Sequence, residues 1–100
     1  MAHTLKLRKR AVIDLGEAYE WYELQRTDLG EEFILSTQDA LLSIQQKPDL
    51  YSEVYPGIRK CNLRRFPYSV YYRIFKRSVA ILAVYHQSRN PGRWQKRKKS

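Results

Sequence analysis

The sequence predicts an α+β fold in which a helical hairpin packs on a small, mainly antiparallel sheet, with the elements in the order β-α-α-β-β-β. Three observations support this prediction. Leu5 and Leu7 alternate with basic residues, which is the two-residue period of a half-buried strand. Apolar residues then recur every three or four positions through residues 12–44, which is the period of a helix. Residues 58–89 consist of short apolar runs separated by turn residues, a pattern typical of three consecutive strands.

Two helices account for most of the first half of the chain. The apolar face predicted for the first helix consists of Val12, Leu15, Tyr19 and Tyr22. The face predicted for the second consists of Phe33, Thr37, Ala40, Leu41 and Ile44. Asp28, with Glu31 three residues later, predicts a capping box at the start of the second helix. Pro48 predicts its end, because proline disfavours the helical conformation of the residue before it. The short junction between the helices predicts an αα-hairpin.

Three strands follow a predicted loop over residues 49–57. Cys61 and Leu63 are expected on one face of the first of these strands. Val70, Tyr72 and Ile74 are expected to share one face of the second. Residues 79–86 are almost continuously apolar, which predicts a strand that is covered on both faces.

The length and composition predict one domain over residues 1–95, followed by a basic, flexible tail over residues 96–100. The single cysteine, Cys61, cannot form an intrachain disulfide, so nothing requires an oxidising compartment. No signal segment is evident and no apolar run is long enough to span a membrane as a helix, so we expect a cytoplasmic protein. Metal-binding spacings and glycine-rich phosphate loops are also missing from the sequence, and we expect no cofactor.

Charge is distributed very unevenly along the chain, whose formal net charge is +9. Residues 11–53 hold all ten acidic residues and only two basic ones. Residues 54–100 hold thirteen basic residues and no acidic one. Such asymmetry predicts a basic surface that meets an anionic partner, which can be a nucleic acid or an acidic protein segment. A purely solubilising basic face is the alternative.

Two sets of residues in the basic half are candidates for chemistry or binding. Histidine exchanges protons readily near neutral pH, and arginines can stabilise charge that develops on a phosphate. The candidate catalytic residues are therefore His86, Arg64, Arg73 and Arg89. Arginine and lysine hold phosphates and aromatic rings stack on bases, so a second set is predicted to bind nucleic acid or another target. This set consists of Arg59, Lys60, Arg65, Tyr68, Tyr71 and Arg93.

Five segments, in order along the chain, resemble the RelE/ParE superfamily of toxins from bacterial type II toxin–antitoxin systems. They are residues 18–25 (AYEWYELQ), 29–33 (LGEEF), 54–60 (VYPGIRK), 65–72 (RFPYSVYY) and 81–94 (ILAVYHQSRNPGRW). The resemblance covers nearly the whole chain and agrees with the predicted order of elements. It implies a small basic toxin that a co-expressed antitoxin wraps and neutralises.

The resemblance implies two alternative targets. RelE-like members cleave mRNA in the ribosome, whereas ParE-like members poison DNA gyrase. In RelE-type ribonucleases an arginine follows the aromatic residue at the start of the second hairpin strand, and here that position is Ser69. His86 matches a histidine of YoeB-like ribonucleases, but Gln87 stands where those enzymes have tyrosine. Whether the chain is an enzyme is therefore left open. A non-toxic basic module that binds RNA or protein, with a decayed catalytic set, is the third interpretation.

Overall fold

Residues 3–88 are described by a computed structural model, and they form two helices packed against a five-stranded sheet. The elements are β1 (Thr4–Leu7), α1 (Lys9–Gln25), α2 (Leu29–Gln46), a short 3-10 turn (Pro48–Leu50), β2 (Glu53–Tyr55), β3 (Ile58–Asn62), β4 (Tyr68–Ile74) and β5 (Ser78–His86). The strands lie side by side in the order β1-β5-β4-β3-β2. β1 runs parallel to β5, and every other pair is antiparallel. The predicted fold class and order of elements are confirmed.

The segment predicted as a loop between the second helix and the sheet is only partly irregular. It contains the 3-10 turn and the additional edge strand β2, which pairs with β3 through Glu53 opposite Arg59. The prediction of an unbroken loop over residues 49–57 was wrong. A three-residue strand is too short to show an alternating pattern, and this one is followed directly by a turn at Pro56 and Gly57.

The main hydrophobic core lies between the helices and one face of the sheet, which we call the helix-side face. Phe33 is fully buried, with ring centroids 5.3 Å from Tyr22, 5.4 Å from Phe66 and 5.1 Å from Tyr68. Tyr72 is also fully buried, and its hydroxyl donates a 2.6 Å hydrogen bond to the Pro48 carbonyl. The buried face of α2 is the predicted one, except that Leu41 is only partly buried. α2 therefore contributes Phe33 and Ile44, two of the largest fully buried side chains of the core.

The buried face of α1 is rotated relative to the prediction. Val12, expected in the core, is 54% exposed. The residues that face the core are Ala11, Asp14, Ala18 and Tyr22. Three of these four have small side chains or are polar, so the apolar pattern alone did not identify them. Small residues on this face let α1 lie close to β5.

Asp14 is buried against β5, where its carboxylate accepts a backbone hydrogen bond. The pairing of β1 with β5 ends at Leu7 opposite Ile81, so the last part of β5 has no strand on that side. The Asp14 carboxylate accepts a 3.0 Å hydrogen bond from the backbone N–H of Val84 there. A buried N–H without an acceptor is costly, and this carboxylate replaces the missing strand.

The junction between the helices is capped differently from the prediction. Asp28 has a left-handed backbone, with φ of 70°, and its side chain makes no capping hydrogen bond. Instead, the Glu23 carboxylate accepts hydrogen bonds from the N–H groups of Asp28 at 3.0 Å and Gly30 at 2.9 Å. A Cβ atom at Gly30 would lie 2.8 Å from the Tyr19 carbonyl oxygen, so the helices meet where only glycine fits. The hairpin is confirmed, but the capping box was wrong.

Candidate functional site

The second face of the sheet, which we call the open face, carries no helix in the described structure. Lys6 of β1 and Arg73 of β4 lie on either side of Ala80 in β5, and both are on this face. Lys60 of β3 lies on the same face, opposite Tyr71 of β4. None of the strand residues that point to this face, within residues 3–88, is acidic. Cationic side chains with no carboxylate among them create a positive potential that attracts an anionic surface. The open face is therefore the strongest candidate for target binding.

Arg73 lies against the turn that connects β2 to β3. Gly57 in this turn has φ of +79°, a conformation that glycine adopts without strain. A Cβ atom at Gly57 would lie 2.7 Å from a terminal nitrogen of the Arg73 guanidinium. The absence of a side chain at Gly57 therefore lets the guanidinium approach the turn closely, at one end of the open face.

The centre of the open face is apolar. Ile58, Tyr71, Ala83 and Tyr85 form a small buried cluster there, separate from the main core. The rings of Tyr71 and Tyr85 are 5.6 Å apart, and burial, with a smaller effect of Tyr85, raises the pKa of Tyr71. Only 4% of Tyr71 is exposed, so its ring offers no free face for the base stacking that the sequence suggested. Tyr71 stabilises this face.

His86 occupies the other face and the other end of the sheet. It pairs with Tyr68 across β4 and β5, and the two rings meet edge to face at 5.2 Å. Its Nδ1 accepts a hydrogen bond from the Ser88 N–H at 3.1 Å and lies 2.8 Å from the Ser88 hydroxyl. Because Nδ1 accepts, Nε2 carries the proton of the neutral ring. His86 lines a cavity of about 450 Å³ together with Asp14, Trp21 and Tyr68, on the side of the sheet covered by α1.

Arg64 and Arg65 lie in the exposed loop between β3 and β4. Together with Glu32 and Asp39 of α2 they line a cleft of about 620 Å³. Arg65 donates a 2.8 Å hydrogen bond to Glu32, which also accepts one from Arg26 at 3.1 Å. These hydrogen bonds, that of Arg65 first, lower the pKa of Glu32. The Arg65 side chain is thus tied to α2, although it remains largely exposed.

Arg59 points to the helix-side face, away from Lys60. Its guanidinium donates hydrogen bonds to the carbonyl oxygens of Asp49 at 3.3 Å and Tyr51 at 2.5 Å. It also lies 3.9 Å from the carboxylates of Asp49 and Glu53. Arg59 therefore holds the segment between α2 and β3 in place, and this internal use disfavours the predicted contact with a target.

Of the candidate catalytic residues that the structure describes, His86 and Arg73 are not brought together. His86 is opposite Tyr68 at the start of β4, whereas Arg73 is five residues further along that strand, roughly 16 Å away at about 3.3 Å per residue, and on the opposite face. Arg64 lies in the loop that follows β3, at the same end of the sheet as His86, and it lines a different cavity. Ser69, at the position where RelE-type ribonucleases have arginine, is fully buried and donates a 2.5 Å hydrogen bond to Asn62. Arg89 and Arg93 lie outside the described residues.

Sequence reasoning missed two residues that matter for these surfaces. Lys6 belongs to the open face, but the alternation around it could not show which strand β1 pairs with. Asp14 lies in the cavity beside His86, and its position next to the apolar stripe of the first helix was the available signal. Within residues 3–88, no group of three or more potential metal ligands is present, and no helix is long and apolar enough to cross a membrane.

A family model described as the ParE toxin of the type II toxin–antitoxin system, parDE, matches residues 5–91 of the chain. Among curated proteins, the chain is 30% identical over 92 residues to Toxin ParE2 of Mycobacterium tuberculosis, covering 91% of this chain and 88% of that protein.

Solved structures show the same fold. A chain of the chromosomal ParDE system from P. aeruginosa matches with a TM-score of 0.75 and 21% identity, covering 85% of this chain and 96% of that one. The RelBE2 toxin–antitoxin complex of Mycobacterium tuberculosis matches with a TM-score of 0.63 and 19% identity, covering 86% and 99%. A mutant E. coli toxin RelE in complex with an antitoxin RelBc peptide matches with a TM-score of 0.63 and 18% identity, covering 97% and 95%.

Proposed function

The chain belongs to the ParE toxin family of type II toxin–antitoxin systems, and we propose from this premise that it arrests growth by binding DNA gyrase rather than by cutting RNA. A co-expressed antitoxin holds it inactive until growth arrest is triggered. The sequence resemblance implied two targets for the superfamily, and the ParE-like members are those that poison gyrase. The toxin works in the cytoplasm, where its target is found.

We infer a binding mechanism mainly because His86 is far from Arg73. General acid–base catalysis requires the proton-transferring group to lie within hydrogen-bond reach of the reacting atoms, and a phosphate must be held at the same place. His86 and Arg73 lie on opposite faces and at opposite ends of the sheet. The buried Ser69 supplies no cation at the position where RelE-type ribonucleases have arginine. This arrangement favours a toxin that binds.

The open face supports the same choice. Its cations, Lys6, Lys60 and Arg73, share one face with no acidic strand residue among those described, which suits a protein surface that carries acidic residues. Electrostatic complementarity of this kind accelerates encounter and fixes orientation. The antitoxin is expected to compete with the target, directly or by covering part of the basic surface.

Expression of the chain with and without its neighbouring gene tests the proposal. Without the neighbour we expect growth arrest together with loss of negative supercoiling in a reporter plasmid and a DNA damage response. Mapped mRNA ends should show no new cleavage sites. His86→Ala should remain fully toxic, because His86 has no catalytic part in a binding mechanism.

Three outcomes would contradict the proposal. New mRNA ends at ribosomes, lost in His86→Ala, would establish a ribonuclease instead. Growth arrest with intact supercoiling would exclude gyrase as the target. Unimpaired growth without the neighbour, at a confirmed level of folded protein, would favour a non-toxic binding module.

A further inference from the structure

The side of α1 that faces away from the sheet carries an unusual set of residues, which we call the outer stripe. It consists of Lys9, Ile13, Gly16, Glu20 and Leu24, spaced three or four residues apart. Ile13 is 44% exposed and Leu24 is 84% exposed, and Val12 beside them is 54% exposed. The solvent-facing side of a helix ordinarily carries polar residues, so these exposed apolar side chains are available for contact with another molecule.

Gly16, at the centre of the outer stripe, has no role in the fold of the described residues. No atom lies within 4 Å of the position that a Cβ would take there, and its φ is not positive. The close packing that a glycine permits is therefore not used within the chain. Glycine is the poorest helix former after proline, so its place in the middle of a helix needs another reason. Close approach of a second backbone at Gly16 is such a reason.

The charges of α1 are arranged against the helix dipole. Its first turn contains the basic residues Lys9 and Arg10 and no acidic residue, and its last turn contains no basic residue. Of its four acidic residues, Asp14 lies in the first half, Glu17 is at the midpoint, and Glu20 and Glu23 lie in the second half. Cations at the N-terminus and anions near the C-terminus both destabilise an isolated helix. Among the described residues, neither Lys9 nor Glu20 takes part in an ion pair.

We propose that the outer stripe is a self-association surface, on which the α1 helices of two copies of this chain cross antiparallel at Gly16. A two-fold axis through this crossing brings the basic first half of each helix beside the acidic second half of the other. At 1.5 Å of rise per residue, Lys9 of one copy lies within about 5 Å, along the helix axis, of Glu20 of the second copy. Leu24 then packs over the first turn of the other helix.

A second copy fits this surface better than an unrelated helix does. The outer stripe has a cation, Lys9, before Gly16 and an anion, Glu20, after it. In an antiparallel pair of copies, the basic part of each stripe therefore faces the acidic part of the other. Antiparallel pairing also places the positive end of each helix dipole beside the negative end of the other, which offsets the unfavourable charge arrangement of the single helix. One helix crossing buries less than the roughly 800 Å² per partner of a standard interface, so a dissociation constant on the order of micromolar is expected.

Sedimentation equilibrium of the purified full chain, at ionic strength near 0.15 M, tests the proposal. We expect the wild type to dimerise with rising concentration. Lys9→Glu and Glu20→Lys should each weaken the dimer at least about tenfold, because each places two pairs of like charges at the crossing. An equimolar mixture of the two variants should dimerise again, because both contacts then join opposite charges.

The control is Lys47→Glu, which makes the same charge change as Lys9→Glu at an exposed residue beyond α2 and should leave dimerisation unchanged. Gly16→Leu should prevent the close crossing while circular dichroism shows an intact fold. A wild type that stays monomeric at all concentrations, or a mixture that does not recover the dimer, would overturn the proposal. These measurements use the purified chain and do not depend on growth arrest. Their outcome therefore tests self-association without testing the proposed target.

Discussion

The two faces of the sheet are built for different purposes. On the helix-side face, the strands and the two helices together bury large side chains completely, such as Phe33 and Ile44 of α2 and Tyr72 of β4. Among residues 3–88, the open face carries the smaller cluster of Ile58, Tyr71, Ala83 and Tyr85, bordered by cations. Successive strand residues point to opposite faces. In β3 and β4, residues that pack in the main core therefore alternate with residues that belong to the open face. Substitutions on the helix-side face should therefore change stability, and those on the open face should change target binding.

Phe33→Ala should produce the largest loss of stability. The ring is fully buried and contacts three other aromatic rings, so its removal leaves a cavity in the centre of the main core. We expect the free energy of unfolding to fall by about 3–5 kcal/mol in urea denaturation. Phe33→Leu, which keeps most of the volume, should cost less than about 1.5 kcal/mol. A loss below about 1 kcal/mol for Phe33→Ala would show that the helix-side face does not dominate stability.

Asp14→Ala should come next, because it leaves the N–H of Val84 without its acceptor. Loss of the partner of a buried donor costs about 1–3 kcal/mol, again read as the free energy of unfolding. Asp14→Asn keeps an acceptor oxygen and is the matched control, with a smaller loss. Equal losses for the two variants would mean that the negative charge, rather than the hydrogen bond to β5, is what matters.

Tyr72→Phe should have a smaller effect that depends on pH. It removes the hydrogen bond to the Pro48 carbonyl, which costs about 1 kcal/mol at neutral pH. Burial raises the pKa of Tyr72 far above its ordinary value, so the folded protein keeps the phenol neutral while the unfolded chain ionises above about pH 10. The stability that the neutral phenol contributes is present below pH 10 and is lost as the pH rises from there.

Urea denaturation of both proteins at pH 8 and at pH 10.5 measures this effect. The advantage of the wild type over Tyr72→Phe should shrink at the higher pH, and the other buried tyrosines cancel in the difference. A difference that stays constant or grows would contradict the assignment of Tyr72 to a buried, neutral state.

Lys60→Glu should change stability least and binding most clearly. The side chain lies on the open face opposite Tyr71, outside the main core, so the free energy of unfolding should change by no more than about 0.5 kcal/mol. For the proposed gyrase target, inhibition of supercoiling by the purified chain should weaken by about tenfold. Lys47→Glu, with the same charge change away from the open face, should inhibit like the wild type. Equal weakening by both variants would mean that net charge, and not this face, governs binding.

The sequence was sufficient to predict the order of the elements and the buried face of the second helix. Phe33, Thr37, Ala40 and Ile44 are large or apolar enough for their spacing to reveal the face that packs. The first helix shows the limit of the same reasoning. Its buried positions include Ala11, Ala18 and the carboxylate Asp14, which are defined by the proximity of β5 and by an unpaired N–H. Such requirements arise only once the tertiary structure forms.

The candidate site was harder to predict for a related reason. Lys60 and Arg73 were identified as basic strand residues, and the structure places both on the open face. His86 was grouped with Arg73 because both lie in strands of the basic half, but the two are on opposite faces. Which residues of β4 and β5 share a face depends on the register of the two strands. A β-bulge between Tyr71 and Tyr72 shifts that register by changing which β5 residues lie opposite. An alternating pattern within one strand cannot reveal such a shift.

The parallel pairing of β1 with β5 has a consequence for how the protein is made. Thr4 pairs with Ser78, so the first strand to leave the ribosome finds its partner only when nearly the whole chain has been synthesised. Pairing of residues so distant in sequence slows folding, because a long loop must close before the contact is made. During translation the hairpin and β2–β4 can begin to assemble, while β1 stays without its neighbour. The newly made chain should therefore pass through an incomplete state in which β1 has no partner strand.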